Sequence, residues 1–412
     1  MSKTAITKTV AIIMAVVIIV ALGVSGYWYY AIQPKHAVKE VKIGVILPLT
    51  GAMATLGKLQ LEGIELARIM YNEAGGIKSL GGANITYVVA DCQSDTKIAM
   101  SEVERLITVE GLKILMGTYS SSLSMAATEA AAKYKVIYLE NSATTPAVTE
   151  RGFKYLFRTL ATSPVIAKTG VEFVKSVGAK TVAILNEDSA AGVSMANYSL
   201  TYIQEAGLEL VAHETYSAKV TDLSPIITKL KAANPDAVLA MQYTTDGILC
   251  ARQMRELNWA PKWFIGHYGA QADPYFIEAL KSDADYFGIV SLWNIDCKTP
   301  GSAEFIERFR EMYGKDPTYH NAYPFMGAMV LFEVIDMAGS LDPDVLREAF
   351  LKYEKPMTIN GYGVKFDPAT GQNIWANRTI VLQIQGGQPK TVYPPEFKTA
   401  DPLPMPPWTE RT

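Results

Sequence analysis

The chain has 412 residues, 49% of them hydrophobic and 19% charged, a globular composition with length enough for two domains. The formal charge is −3; Lys3, Lys8, Lys35 and Lys39 are the only charged residues before Glu40, leaving 34 of the 38 basic side chains to face all 41 acids. So acidic a body, without a basic patch, argues against nucleic acid as a partner.

The N-terminus comes first. Val10–Val24 is almost wholly apolar, interrupted only by Gly23, and Tyr27-Trp28-Tyr29-Tyr30 follows before Ala31 and Ile32. Val10 to Ile32 is long enough to span a bilayer, which takes about 20 residues. The aromatic cluster fits an interfacial belt, and Lys3 and Lys8 on the other flank predict the N-terminus inside and the body outside. A cleaved signal peptide is the rival reading, but the stretch is long for one and has no A-x-A site. An uncleaved anchor over residues 1–39, with its linker, is the expectation. Asn84-Ile85-Thr86, Asn197-Tyr198-Ser199 and Asn377-Arg378-Thr379 are glycosylation triplets, compatible with an external location.

Val41–Leu47 reads as the first strand, and Leu59–Ala74 as a helix closed by Gly75-Gly76. Ile85–Ala90 is the next strand, and Asp95 caps a helix running through Val109. Ile114–Met116 is a short buried strand ended by Gly117, and Tyr119-Ser120-Ser121-Ser122 leads into an alanine-rich helix near Leu123. Val136–Leu139 is another strand, followed by Asn141-Ser142-Ala143-Thr144-Thr145-Pro146. The β-α-β-α-β-α-β order implies a parallel sheet covered on both faces. After Arg158-Thr159 the pattern restarts. Strands are expected at Thr181–Leu185, Leu208–His213, Ala237–Met241 and Trp263–Ile265, with helices at Pro164–Val177, Gly192–Ala206, Asp222–Ala233 and Asp246–Leu257. The apolar run Phe287–Leu292 precedes helices at Ser302–Tyr313, Thr318–Ala338 and Asp342–Leu351. Tyr362–Phe366 and Ile380–Gln385 look like strands. From Pro394 onward the chain is proline-rich and without periodicity, an extended segment lying on the surface.

The two serine/threonine turns carry the chemistry. A strand that runs through a small polar turn into a helix leaves unpaired backbone N–H groups facing outward. Serine hydroxyls add donors, and the helix dipole favours negative charge there. Such a site suits a carboxylate or a polar neutral group without any lysine or arginine. Ser and Thr also cap helices everywhere, but two such clusters after consecutive parallel strands would open on one sheet edge, where ligands bind. Cys92, Cys250 and Cys297 form no C-x-x-C pair, and His36, His213, His267 and His320 are scattered, so no metal or cofactor is expected. The 22 tyrosines suit either an aromatic-lined pocket or core edges.

Gly44-Val-Ile-Leu-Pro-Leu-Thr-Gly51, Asn72-Glu-Ala-Gly-Gly-Ile77, Asp91-Cys-Gln-Ser-Asp95, the serine turn at 119–122, and Asn141-Ser-Ala-Thr-Thr-Pro146 followed by Glu150 to Arg158 resemble the branched-chain amino acid (Leu/Ile/Val) binding proteins. These are extracytoplasmic solute-binding proteins of ABC importers. The resemblance implies an α/β type I periplasmic binding protein fold: two doubly wound lobes joined by three crossovers and closing on a small-molecule solute. Residues 40–159 and 290–365 would form the first lobe, 160–289 and 366–393 the second, and 394–412 the tail. The crossovers would fall near Thr159, Ile289–Leu292 and Phe366. An ABC transporter permease is the implied partner, with membrane attachment through the N-terminal helix.

Position by position, Ser121 matches the family serine that holds a ligand carboxylate, and Ser142 and Thr144 match residues that contact carboxylate and ammonium. Tyr119, Ser120 and Ala143 flank them, and Tyr243 matches a cleft tyrosine of the second lobe; Trp293, just past a predicted crossover, either lines the cleft or packs in the core. The sequence departs from the family in having Leu56 before Gly57 and Ala191 before Gly192, two substitutions expected to enlarge the cleft. Tyr268 stands where amino acid binders commonly carry a glutamate for the ligand's ammonium. A buried ammonium without a carboxylate is costly, so either another acid, Asp246 or Asp188, supplies the charge, or the ligand has none. Both read more readily as exposed cap or turn residues, and Glu187-Asp188 as a solvated loop. Cys92 lies near a family cysteine whose usual partner is replaced by Tyr119-Ser120, so that disulfide is expected to be lost. The expected function is a binding protein delivering an amino-acid-like, carboxylate or amide solute. A ligand-sensing ectodomain is the alternative, and no enzyme motif such as G-x-S-x-G or H-E-x-x-H is present.

Overall fold

Two sheets with one shared strand order organise residues 38–411, which the computed structural model describes. The first sheet collects β1 (Glu40–Leu47), β2 (Asn84–Asp91), β3 (Ile114–Gly117), β4 (Ile137–Glu140) and β5 (Leu156–Arg158), all parallel, in the order β2-β1-β3-β4-β5. Between them run α1 (Ala54–Glu73), α2 (Thr96–Thr108) and α3 (Ser121–Ala132). Asp95 caps α2 by accepting from the N–H groups of Lys97 and Ile98.

The second half begins with α4 (Ser163–Ser176), β6 (Thr181–Glu187), α5 (Ala190–Ala206), β7 (Glu209–Tyr216), α6 (Ser224–Ala233), β8 (Ala237–Gln242), α7 (Thr244–Glu256), β9 (Trp263–Gly269), α8 (Pro274–Leu280) and β10 (Gly288–Ser291). Its sheet repeats the first: β7-β6-β8-β9-β10 in parallel, then an antiparallel hairpin at the β10 edge. In both sheets the order reverses beside the first strand of the half, which creates a switch-point crevice at the carboxyl edge. Apolar runs in the strands make this possible: β3, β4, β8 and β9 are buried along their whole length.

The chain returns to the first half as α9 (Ser302–Tyr313), α10 (Tyr319–Ala338) and α11 (Pro343–Lys352), then the two-residue strands β11 (Glu354–Lys355) and β12 (Val364–Lys365). Buried residues surround the first part of α10, and Gly63 of α1 lets the two helices approach so closely that a Cβ there would sit 2.1 Å from the Asn321 carbonyl oxygen. The hairpin β13 (Ile380–Gln385) and β14 (Gln388–Tyr393) completes the second sheet.

The chain passes between the sheets after Arg158 and after Ser291. The third passage differs from the expectation at Phe366. Residues 366–373 stay with the first half, because the Arg158 N–H donates to the Gly371 carbonyl and the Asn373 N–H to that of Arg158, both at 2.9 Å. The crossing falls between Asn373 and Ile380 instead. Leu156–Arg158 and Gln388–Tyr393 are strands that the sequence reading did not assign. The proline-rich end is extended and seated on the second half. The Met405 N–H donates to the Lys262 carbonyl (2.9 Å), the Trp408 indole N–H to that of Trp259 (2.7 Å), and Met405 is buried. The expected membrane anchor, Val10–Ile32, lies outside the described residues. Among the described residues no single helix is long and apolar enough to cross a membrane.

Candidate functional site

The carboxyl edges of the two sheets face one cavity, whose third wall is the start of α10. From the first half, β3 ends at Gly117 and the chain passes Thr118, Tyr119 and Ser120 before α3. Ser120 sits at φ 70°, ψ 148°, a region that only glycine enters without strain. Its hydroxyl accepts weakly from the Leu123 N–H (3.4 Å), so the residue is strained and caps the helix at once.

The second turn is held from both sides. Glu140, the last residue of β4, accepts the Ser142 and Ala143 N–H groups on one carboxylate oxygen, each at 2.7 Å. Arg158, its register partner on β5, donates to the carbonyls of Ala143 (3.0 Å) and Thr145 (2.7 Å) and to the Thr149 hydroxyl (3.0 Å). Ser121 Oγ accepts the Thr145 N–H at 3.3 Å, which ties the two turns together. Both Glu140 and Arg158 are fully buried. Burial lifts the Glu140 carboxyl to about 7; the Ser124 hydroxyl, the two N–H groups and the Arg158 charge pull the other way. Burial lowers the Arg158 guanidinium to about 10, against the charges of Glu140 and Glu150.

The second half contributes Ala191 from α5, Tyr243 before α7, His267 and Tyr268 from β9, and apolar Ile166, Val290 and Leu292. Tyr319, His320 and Tyr323 come from α10. The rings interlock: Tyr119 meets Tyr243 at 6.1 Å and His320 at 5.9 Å between centroids, and Tyr243 meets Tyr268 at 5.1 Å. Four hydrogen bonds join the halves here: Gly269 N–H to Tyr319 Oη (3.2 Å), Thr145 Oγ1 to the Ala190 carbonyl (3.2 Å), and, beside the first passage between the sheets, Ser163 N–H to the Thr144 carbonyl (2.8 Å) and Ser163 Oγ to Thr144 Oγ1 (3.4 Å). The free space is about 40 Å³.

No Asp, Glu, Lys or Arg lines the cavity. Burial raises the Tyr119, Tyr268 and Tyr323 phenols well above their ordinary value and lowers His267 to about 4 and His320 to about 3, so these groups are neutral at physiological pH. Among the described residues no group of three His, Cys, Asp or Glu side chains could hold a metal ion.

Tyr119, Ser120, Ser121, Ser142, Thr144, Tyr243 and Tyr268 all line this cavity. Three candidates do not. Ala143 packs into the apolar core of the first half, with only its backbone engaged by Glu140 and Arg158. Leu56 sits behind Tyr119, packed with Leu59 and Tyr243. Trp293 is buried against Phe305 and donates its indole N–H to Ser302 Oγ (3.0 Å), well inside another part of the protein. The enlarged cleft expected from Leu56 and Ala191 is not found, because tyrosine rings occupy the space.

Glu187 overturns the solvated-loop reading. It is fully buried, accepts from the Ser189 N–H (2.6 Å) and takes the Tyr268 hydroxyl as a further donor. Asp188 is exposed, as read, and accepts the Ala218 N–H. Asp246 is buried rather than exposed, but it pairs with the Tyr216 hydroxyl and does not line the cavity. Sequence reasoning also missed Tyr319, His320 and Tyr323. Their signal is three polar aromatics at i, i+1 and i+4, one face at the start of an otherwise apolar helix. Cys92, Cys250 and Cys297 are all unbridged.

Two α/β halves of matching topology, meeting over one cavity at their switch points, define a bilobal ligand-binding protein. Residues 40–388 match the family model described as Periplasmic binding protein, and the chain belongs to that family. It is 31% identical over 380 residues to Leu/Ile/Val-binding protein homolog 8 of Brucella abortus (strain 2308), covering 87% of this chain and 91% of that protein. The crystal structure of a leucine binding protein from Thermotoga maritima MSB8 superimposes with a TM-score of 0.77 at 25% identity, over 85% of this chain and 97% of that one. A solute binding protein of an ABC transporter from Rhodopseudomonas palustris BisB5, in complex with 3,4-dihydroxy benzoic acid, gives a TM-score of 0.76 at 21% identity, over 89% and 98% respectively.

Proposed function

We propose that this protein is the extracytoplasmic solute-binding receptor of an ABC-type importer. It takes a small organic solute bearing a carboxylate or amide into the cleft and closes its halves over it. The observation that carries the reading is the cavity itself: the Ser120-Ser121 and Ser142–Thr144 turns on one side, Tyr243 and Tyr268 on the other, with few polar bonds between. A hinged pair of lobes responds to a ligand in proportion to its preference for the closed state. Family membership and the relatives named as Leu/Ile/Val-binding support delivery to a membrane permease, with the apolar run Val10–Ile32 holding the body outside the membrane.

The test is small-angle scattering with calorimetry on the purified body. A bound solute should compact the particle and release heat in a saturable one-to-one isotherm, with the solute recovered unchanged. Conversion of the solute over time, or binding without compaction, would refute the reading.

A further inference from the structure

Gln60 stands behind the cavity wall on α1, wholly buried. Its Nε2 donates to two hydroxyls, Ser142 Oγ at 2.9 Å and Tyr323 Oη at 2.8 Å. Both of those residues line the cavity, and Gln60 does not. The bonds join α1, the turn after β4 and the start of α10, three places far apart in sequence. Gln60 Oε1 has no partner. Turned the other way, the amide would bury an NH2 group without an acceptor, a costlier fault than one bare carbonyl oxygen.

A hydroxyl has one proton to give and lone pairs with which to receive. An oxygen that receives an N–H along one direction cannot send its own proton along it. Gln60 therefore turns the Ser142 and Tyr323 protons away from itself. The two hydroxyls also lie within reach of each other. Even with one donating to the other, the second proton remains for the cavity. The wall repeats this arrangement: Ser121 Oγ receives the Thr145 N–H (3.3 Å), and Tyr319 Oη the Gly269 N–H (3.2 Å). Those two donors are backbone groups, while Gln60 is the side-chain donor of the set. No carboxylate lines the cavity to absorb the protons.

We infer that Gln60 is a positioning residue that sets the specificity of the cleft from outside it: by holding the Ser142 and Tyr323 hydroxyls as donors toward the solute, it favours an acceptor oxygen there and disfavours an amine. This rests on the solute-binding reading above and adds a residue that touches no solute.

Calorimetric titration with isovalerate, isovaleramide and isopentylamine tests it, since these share one branched hydrocarbon and differ only at the polar end. The wild type should bind isovalerate at least ~10-fold more tightly than isopentylamine, the worth of one hydrogen bond to a charged group, with isovaleramide between them. Gln60→Met keeps the side-chain length but cannot donate, which frees both hydroxyls to turn. The ratio of the two affinities should then fall about fivefold. A merely structural role would weaken all three probes together, so an unchanged ratio in the folded variant overturns the proposal. So does a wild type that binds the amine as tightly as the carboxylate, a result that needs no variant to fold. NMR of the protein labelled at its glutamine side-chain nitrogens reads the geometry without a ligand. Contacts from the Gln60 NH2 protons to the Ser142 and Tyr323 side chains are expected, and their absence overturns the proposal. Failure of all three probes in the wild type also overturns it and leaves the receptor reading standing. Failure of a broad amino acid, amide and carboxylate library as well overturns the receptor reading.

Discussion

Glu140 and Arg158 face one another on adjacent parallel strands, and each grips the opposite side of one loop. The carboxylate takes its N–H groups and the guanidinium its carbonyls. Neither gives the loop a side chain at the cavity. Together they fix the backbone from which Ser142 and Thr144 reach it.

This clamp carries a pH signature. The Glu140 carboxyl lies at about 7 in the folded chain, against an ordinary value of 4.5. Between those values the folded chain holds a proton that the unfolded chain has released. Stability from this group is therefore complete below pH 4.5 and is lost as pH rises through 7. His267 and His320, lowered to about 4 and about 3, act in the opposite sense: their share is lost as pH falls below the ordinary histidine value. The wild-type curve is thus a partial cancellation, and the difference between wild type and Glu140→Gln isolates the carboxyl. Thermal unfolding across pH 4.5–7 should show the wild type losing ground relative to the variant, on the order of 3 kcal/mol at most. A constant offset would remove the argument.

Ser120 is held at a backbone conformation that favours glycine. Ser120→Gly should stabilise the ligand-free protein by about 1 kcal/mol, since relief of strain exceeds the loss of a long capping bond. The same change should weaken solute binding, because it removes a hydroxyl from the cavity. Ser120→Ala keeps the strain and loses the cap, so it should destabilise. Chemical denaturation and calorimetry of both variants separate the two effects, and a destabilised Ser120→Gly would contradict them.

Gly63 sets how near α10 comes to α1. Gly63→Ala places a methyl group against the Asn321 backbone, and backbone cannot step aside as a flexible side chain would. About 1–3 kcal/mol of destabilisation is expected. Because Tyr319, His320 and Tyr323 ride on the displaced helix, affinity should fall with stability. An unfolding midpoint and affinity both equal to wild type would show that the helices are not in this contact.

Much of this was legible locally. The alternation of apolar runs with glycine-closed helices marks the two α/β halves, and Asp95 caps where its position predicts. The serine and threonine turns lie at the cavity because strand order alone brings consecutive carboxyl ends together. What stayed hidden depends on distant partners. Nothing near Glu187 distinguishes it from Asp188, yet β6 extends to the first and stops before the second, and the burying contact is Tyr268, 81 positions away. Tyr319, His320 and Tyr323 share one face of α10, but the start of that helix is buried on every side, so the face does not mark itself off as exposed. The third crossing was misplaced because Phe366 ends an apolar stretch, while the bonds that retain residues 366–373 run to Arg158.

Tyr319 offers a direct handle on closure. Its hydroxyl accepts the Gly269 N–H across the cleft, while its ring lies tilted against that of His320, 4.0 Å between centroids, within its own half. Tyr319→Phe keeps the ring and deletes only the cross-cleft bond, worth about 1 kcal/mol. If solute binds only to the closed form, affinity falls with the fraction of protein that is closed, about fivefold for that energy. The unfolding midpoint should hardly move, since the ring's contacts in its own half remain. Thr145→Val removes another such bond, from Thr145 Oγ1 to the Ala190 carbonyl, and should lower affinity by a similar factor. The two residues act on one opening equilibrium from separate places, so their effects should add in the double variant. Calorimetry with the tightest-binding carboxylate, amide or amino acid and scattering of the ligand-free variants measure both sides. Unchanged affinity in the double variant, or no shift toward an open particle, would mean that these bonds do not govern closure.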